Sequence, residues 1–560
     1  MLFKDKPFDW KRFLYRTFIG ETAARKLFLF YLYAIIIGVA LLCLPISLNN
    51  IHKYEVVLYD GTTRGYTFID ALFTAISAFS DTGLTSFCVR DTYNIFGQIV
   101  IMLLIQIGGM GLFTIYWILW NLAFNNYIYK KIKRIPIYER NKIGFSNSLL
   151  ISSERGNSKL GLSNQTIKSA VLFIFGTEIV FAIFYILWFA LVPTYVQTQV
   201  GNSDTLVMEN GQILNASDWV INSSELNPQY HNAGLAIWSG IFQSVSTMNN
   251  AGFDIIGNSS MSTFRNGVGT IFQYVVILQF IIGGIGYPVI YDCMQWIKKR
   301  HRHQKFRFSL FTKVSIITYF LVAFIGLAFM LGFEFGLNDS LIYKVNHCDQ
   351  LKDIYFGTGA EKGWNEFTYV VFNVFSARSA GFTTITESQI SAASKWIMII
   401  LMFIGCAPSS TGGGIRTTTL AVMVMATISK ANGYKDTRIF KRSILNETVI
   451  SSFMITIISA VIVIGFSLIS YPLLLNIQGD ANMNVTDVIF EMSSAYGTVG
   501  LTCGVSPLLT GNNVSAAFIA IFISIVMIIG QLGVPTALFV FKRRNTSKAI
   551  NYAQDDIRVG

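Results

Sequence analysis

Apolar residues in this chain do not alternate with polar ones. They gather into eight continuous runs of about 20 residues or more, over 27–47, 98–124, 170–195, 267–297, 314–337, 396–428, 448–475 and 514–541. A bilayer core takes about 20 apolar residues in a helix, so each run predicts a membrane crossing. The runs pair, and inside each pair lies a shorter semi-apolar piece. These read FIDALFTAISAFSDTGLT (68–85), GIFQSVSTMNNAGFD (240–254), VVFNVFSARSAGFTT (370–384) and VIFEMSSAYGTVGLT (488–502). Each has a Phe, then small and hydroxyl residues, then a glycine followed by Leu or Phe. The Phe-to-Gly offset is ten residues for Phe73–Gly83, Phe242–Gly252 and Phe490–Gly500, and nine for Phe372–Gly381. Such self-similarity signals a repeat architecture. About a dozen residues before the glycine are too few to span and predict a re-entrant half-helix. Backbone that leaves the helix at membrane depth is tolerated only where it is buried in protein or lines water.

The expected fold is therefore an all-α polytopic membrane protein. It has four M1–P-loop–M2 repeats, with eight transmembrane helices and four re-entrant pore helices around a pseudo-fourfold pore. The expected units are an N-terminus (1–26), repeat 1 (27–124), a basic loop (125–168), repeat 2 (169–297) and a second basic loop (298–313). Repeat 3 with the break described below (314–428), a loop (429–445), repeat 4 (446–541) and a C-terminus (542–560) complete the chain.

Composition agrees: 52% of residues are hydrophobic, 13% are charged, and mean hydropathy is +0.50. The net charge of +12 raises the question of nucleic acid, but its distribution answers it. Of the 43 Lys and Arg, seven lie in 1–26, nine in 125–168, seven in 298–313, five in 429–445 and five in 542–560. The stretch 196–235 has none. The positive-inside bias puts both termini and these loops in the cytoplasm. The charge fixes topology and offers sites to anionic lipid, so no nucleic-acid partner is expected. No cleavable signal sequence is expected in 1–26, which lacks a short apolar stretch with a small-residue cleavage site. Six cysteines show no CxxC, the histidines form no HExxH, and GxxxxGK[ST] is absent. These absences argue against a disulfide framework, a zinc enzyme and a P-loop nucleotide site. We expect no enzyme, no catalytic residue, no cofactor and no transition-metal site.

A short helix entering from outside points its partly negative C-terminus at the membrane centre, which favours a cation. Residues that then run extended can turn carbonyl oxygens to the axis, as in potassium filters. One residue per loop must take a conformation that a Cβ penalises, which explains Gly83, Gly252, Gly381 and Gly500. Thr82, Ala251, Ala380 and Val499 precede them. Asp81, Asn250, Ser379 and Thr498 flank the filter one position earlier, with Arg378 beside the third loop. Asp81 and Asp254 are candidates for attracting cations at an outer vestibule or for capping turns, and Glu491 for a scaffold role.

The helix after each loop carries clustered glycines: Gly108, Gly109 and Gly111; Gly283, Gly284 and Gly286; Gly412, Gly413 and Gly414; Gly530 and Gly533. In the first, second and fourth, close helix packing accounts for them. The third, CAPSSTGGGIRTTT (406–419), adds Pro408 and Arg416 and should break its helix.

With these residues assembled, the chain resembles the Trk/Ktr/HKT superfamily of potassium transporters, most closely its bacterial KtrB-type membrane subunits. ARSAGFTT (377–384), SAYGTVGLT (494–502), NNAGF (249–253) and STGGGIRTTT (410–419) carry the resemblance. It implies potassium uptake across a bacterial plasma membrane, with one filter glycine per loop. Some sodium-selective relatives carry serine in the first loop, so Gly83 tilts the reading to potassium. The alternative is a sodium or mixed-cation transporter of the same superfamily, coupled to sodium. The resemblance makes 409–419 an intramembrane gating loop, with Gly412, Gly413 and Gly414 as its flexible part and Arg416 at its end. Gln531 stands where the family usually has Arg. A homodimer and a cytosolic nucleotide-binding regulatory subunit are implied, with 125–168 and 298–313 as docking surfaces.

Overall fold

The computed structural model describes residues 23–49, 55–59, 61–111, 164–199, 206–214, 219–257, 261–440, 442–477 and 483–541. Most of the N-terminus, nearly all of the loop 125–168, the end of the expected run 98–124 and the C-terminus beyond 541 lie outside them. The described chain is mostly helical. First come α1 (Ala23–Leu42), α2 (Phe68–Phe79) and α3 (Ile95–Met110). Next are α4 (Asn164–Leu191), α5 (Ala233–Asn249), α6 (Gly269–Ile285) and α7 (Tyr287–His301). Then follow α8 (Leu310–Gly336), α9 (Glu361–Ser376), α10 (Ala392–Phe403) and α11 (Thr417–Ala431). The last are α12 (Asn446–Leu475), α13 (Val485–Gly497), α14 (Val514–Leu532) and α15 (Val534–Phe541).

The four semi-apolar pieces form α2, α5, α9 and α13, and each stops just before its loop glycine. Their starts are signalled locally. Thr67 and Asp70 make a capping box at α2, Asn484 and Asp487 make one at α13, and the Asn232 side chain caps α5. Each cap satisfies N–H groups that the helix leaves open and contributes about 1 kcal/mol. Asp70 also pairs with Arg64 at 2.7 Å and Asp487 with Lys395 at 2.8 Å. The recurring phenylalanines Phe73, Phe242, Phe372 and Phe490 are all buried. They tie the short helices into the protein interior.

The long helices are apolar on the outside. On α4, Ile179, Val180 and Leu187 are exposed while Glu178 and Tyr185 are buried. On α12, Val461 and Leu468 face out while Ser459 and Ser467 are buried. That is the pattern of helices solvated by lipid. Small antiparallel ribbons precede α2 (Glu55–Val57 with Thr63–Gly65) and α5 (Tyr195–Gln199 with Val220–Leu226, bulged between Tyr195 and Gln197).

Eight uninterrupted crossings are not what the chain makes. Among the described residues, four segments are long and apolar enough to cross: Val171–Leu191, Leu310–Asn346, Asn446–Leu475 and Val514–Leu532. The run 267–297 is two helices, α6 and α7, bent by 100°. The cause is the last glycine of each cluster. Gly286 has φ 88° and ψ 144°, and Gly111 and Gly533 take nearly the same angles at the ends of α3 and α14. That region is essentially closed to residues with a Cβ. The run 396–428 is split by the expected break, a non-helical segment over 404–416 between α10 and α11.

Candidate functional site

The ends of α2, α5, α9 and α13 converge, and their loops repeat one backbone pattern. In three of them the residue two before the glycine is left-handed: Asp81 (φ 53°), Asn250 (φ 57°) and Thr498 (φ 49°). The next N–H turns back to the helix, from Thr82 to Ser77 (2.9 Å), Ala251 to Ser246 (2.9 Å) and Val499 to Ser494 (2.8 Å). Each of these bonds reaches five residues back. In the third loop Ala380 N–H bonds Ser376 O, four residues back, at 2.8 Å, and Ser379 is not left-handed. This loop is the one whose Phe-to-Gly offset is nine, so the missing residue is the left-handed one. The loop glycines all have positive φ: Gly83 90°, Gly252 70°, Gly381 73° and Gly500 97°.

These glycines touch in a closed cycle. A Cβ on Gly83 would lie 2.5 Å from Ala251 O and 2.9 Å from Gly252 Cα. On Gly252 it would lie 3.0 Å from Ala380 O and 3.2 Å from Gly381 Cα. On Gly381 it would run into Val499 O, and on Gly500 into Thr82 O, completing the circuit to the first loop. Four glycines and the four carbonyls that precede them therefore encircle one point. Thr82, Ala251, Ala380 and Val499 are fully buried.

The flanking side chains hold the segment 404–416 against this ring. Gly413 N–H donates to Thr498 Oγ1 at 2.7 Å. Asn250 satisfies its amide by accepting from Gly284 N–H and from the hydroxyls of Ser379 and Thr411, while donating to the carbonyls of Thr247 and Phe280. A Cβ on Gly412 would sit 2.9 Å from the Ser379 Cβ, and Cys406 Sγ lies 3.0 Å from Ser379 Oγ. The segment is also bonded to the break after α6, through Ala407 N–H to Gly284 O (3.2 Å) and Tyr287 N–H to Ser409 O (3.1 Å). Gly414 takes φ 74°, and the Arg416 guanidinium folds back onto Gly412 O.

Asp81, in the first loop, is fully buried and takes a 3.3 Å bond from Gln531 Nε2, which also reaches Gly108 O. The amide thus ties the helix α14 to the first loop. Arg378 is fully buried and donates to the carbonyls of Leu401 (3.2 Å), Ile404 and Gly405 (2.9 Å). It caps α10 where the 404–416 segment begins. Asp254 accepts from Ile256 N–H (3.3 Å), as a turn cap does. Glu491 takes bonds from Ser506 and from Thr502 (2.9 Å), the scaffold role expected of it.

The glycine clusters pack as expected. A Cβ on Gly108, Gly283 or Gly530 would strike the carbonyl oxygen of Phe79, Met248 or Tyr496, at the ends of α2, α5 and α13. Sequence reading missed Cys406 and the bridging role of Asn250. The only signal for them was their place beside recognised motifs.

The family model described as "TrkH: Cation transport protein" matches residues 30–551. An uncharacterised cation transporter of Mycoplasma pneumoniae is 35% identical, over 97% of this chain and 96% of its own. The Ktr system potassium uptake protein D of Bacillus subtilis is 28% identical over 96% and 97%. Among solved structures, the potassium transporter TrkH of Vibrio parahaemolyticus shares the fold. Its TM-score is 0.54 at 14% identity, covering 85% of this chain and 79% of that one. These likenesses, together with the lipid-facing helices, make this a multi-pass membrane transport protein and not an enzyme. The chain belongs to the TrkH family of cation transport proteins.

Proposed function

We propose that this chain takes up potassium across a plasma membrane through the glycine ring. Thr82, Ala251, Ala380 and Val499 supply carbonyls to a dehydrated ion, with one glycine per loop. Each quarter of the chain then reads as a helix–pore-loop–helix repeat, and four of them surround one pore. The closed cycle of contacts among Gly83, Gly252, Gly381 and Gly500 carries this reading. A cation that sheds its water needs oxygen ligands arranged in advance, and backbone carbonyls provide them without net charge. The C-terminal ends of the short helices add a partial negative field.

The segment 404–416 is the gate in this reading. It is non-helical, is bonded to the loops by side chains, and can move without dismantling the long helices. The naming of the Bacillus relative for potassium uptake supports the choice of ion. Both termini and the basic loops face the cytoplasm by the distribution of Lys and Arg. A homodimer on a separate cytosolic regulatory subunit completes the proposal.

The test is growth of a bacterium lacking potassium uptake, at low external potassium, with the loop glycines changed singly. The chain restores growth and Gly381→Ser abolishes it, because the added side chain meets Val499 O. Growth that survives all four substitutions, or uptake of sodium equal to that of potassium, defeats the proposal in favour of a sodium or mixed-cation transporter.

A further inference from the structure

Glu178 is a buried carboxylate that the ring does not use. It lies midway along α4 (Asn164–Leu191), about 20 Å from either end at 1.5 Å per residue. Its side chain is buried between exposed apolar neighbours, being 5% accessible where Ile179 is 61% and Val180 66%. Gln106 Nε2, from α3, donates to its two oxygens at 3.0 and 3.4 Å. Asn249 Nδ2, at the last residue of α5, donates at 3.3 Å. Ser244 Oγ holds the main-chain oxygen of Glu178 at 2.7 Å.

Among the described residues, no Lys, Arg or His pairs with it. Neither α3 nor α5, which hold it, carries a titratable side chain. On α4 itself Tyr185 is bonded to Gln279. The packed helix α7 brings Tyr287, Tyr291, Asp292 and Cys293, and in its last turn Lys298, Lys299, Arg300 and His301. A naked carboxylate at membrane depth costs several kcal/mol, and neutral amides offset only part of this. The C-terminal carbonyls of α5 raise the cost further.

A second observation points the same way. Among the described residues, Asn249 Oδ1 is buried with no donor. The amide nitrogens beside it are directed at Glu178, Gln106 Oε1 and Val245 O. The pocket so holds a polar oxygen that no N–H among the described residues reaches, and a proton on Glu178 removes the one negative charge among these neutral amides. Water gives and takes the proton, and no other bond changes.

We propose that Glu178 is a proton-binding site at the bilayer midplane, separate from the glycine ring and linked to it. The link rests on the reading that a cation occupies the ring. Asn249 is followed directly by Asn250, Ala251 and Gly252. A proton on Glu178 removes a negative charge that attracts the ring cation, so each weakens the binding of the other by the same factor.

The experiment is potassium uptake by the full chain in proteoliposomes, with external potassium and pH both varied. The half-saturating potassium concentration rises about fivefold as pH falls, at the low end of typical site coupling. Glu178→Gln holds the acid value at every pH, and Glu178→Asp restores a pH-dependent value. An unchanged pH profile in Glu178→Gln overturns the inference. So does a profile that follows sodium at fixed pH and is lost in that variant, since this assigns the site to an alkali cation. If Glu178→Gln fails to reach the membrane, Gln106→Leu carries the test. It removes a donor to the carboxylate and shifts the pH of the transition, and an unmoved transition overturns the proposal. If the unaltered chain passes no potassium, the proposed function fails, which is a separate result.

Discussion

At the scale of single residues, the ring depends on positions where a side chain has no room and on hydroxyls that reach across the chain. The glycines were legible because four copies of one motif spell them out. Their neighbours were less so. Gln531 and Asp81 meet from 450 positions apart, and Asn250 meets Thr411 from 161. No local pattern encodes such pairs. Thr498 offers a direct test of the gate. Val has nearly the same shape but cannot accept from Gly413 N–H. Losing one such bond costs about 1 kcal/mol, or roughly fivefold in an equilibrium. Thr498→Val should therefore favour the open segment and raise the maximal rate of rubidium uptake by about fivefold, measured in whole cells. An unchanged or lower rate would mean that this bond does not hold a gate shut.

At the scale of elements, the short helices were legible and the helix breaks were not. The repeat placed α2, α5, α9 and α13 in the right stretches, and capping residues mark several of their starts. Even the nine-residue offset of the third loop has a structural counterpart in the shorter turn at Ala380. The 100° bend at Gly286 was hidden, because a glycine cluster in an apolar run reads the same whether it packs, bends or does both. Here it does both: Gly283 receives the end of α5 and Gly286 turns the chain. Gly286→Ala forces a Cβ into a forbidden backbone region, 2.8 Å from Pro408 O. The strain is of order 1–3 kcal/mol. It should lower the temperature of half-aggregation in detergent by several degrees, while Gly332→Ala, with open space at its Cβ position on α8, leaves it in place. Equal melting of the two variants would show that the bend is not enforced at Gly286.

At the scale of the whole molecule, hydropathy made the membrane class legible, and internal repetition suggested a central axis. What sequence could not supply was closure. Four similar loops could lie anywhere along a bundle, and only tertiary packing brings the fourth against the first, where a Cβ on Gly500 meets Thr82 O. On the proposed function, closure turns four weak dipoles into a site of selective size. A site built from neutral carbonyls should hold a large, weakly hydrated cation in preference to sodium. Anomalous scattering from crystals soaked in thallium ion, a heavy stand-in for potassium, tests this most directly. The account predicts a thallium peak on the axis enclosed by Gly83, Gly252, Gly381 and Gly500, erased by excess potassium and retained in excess sodium. Thallium bound only elsewhere, or displaced equally by the two ions, would contradict it.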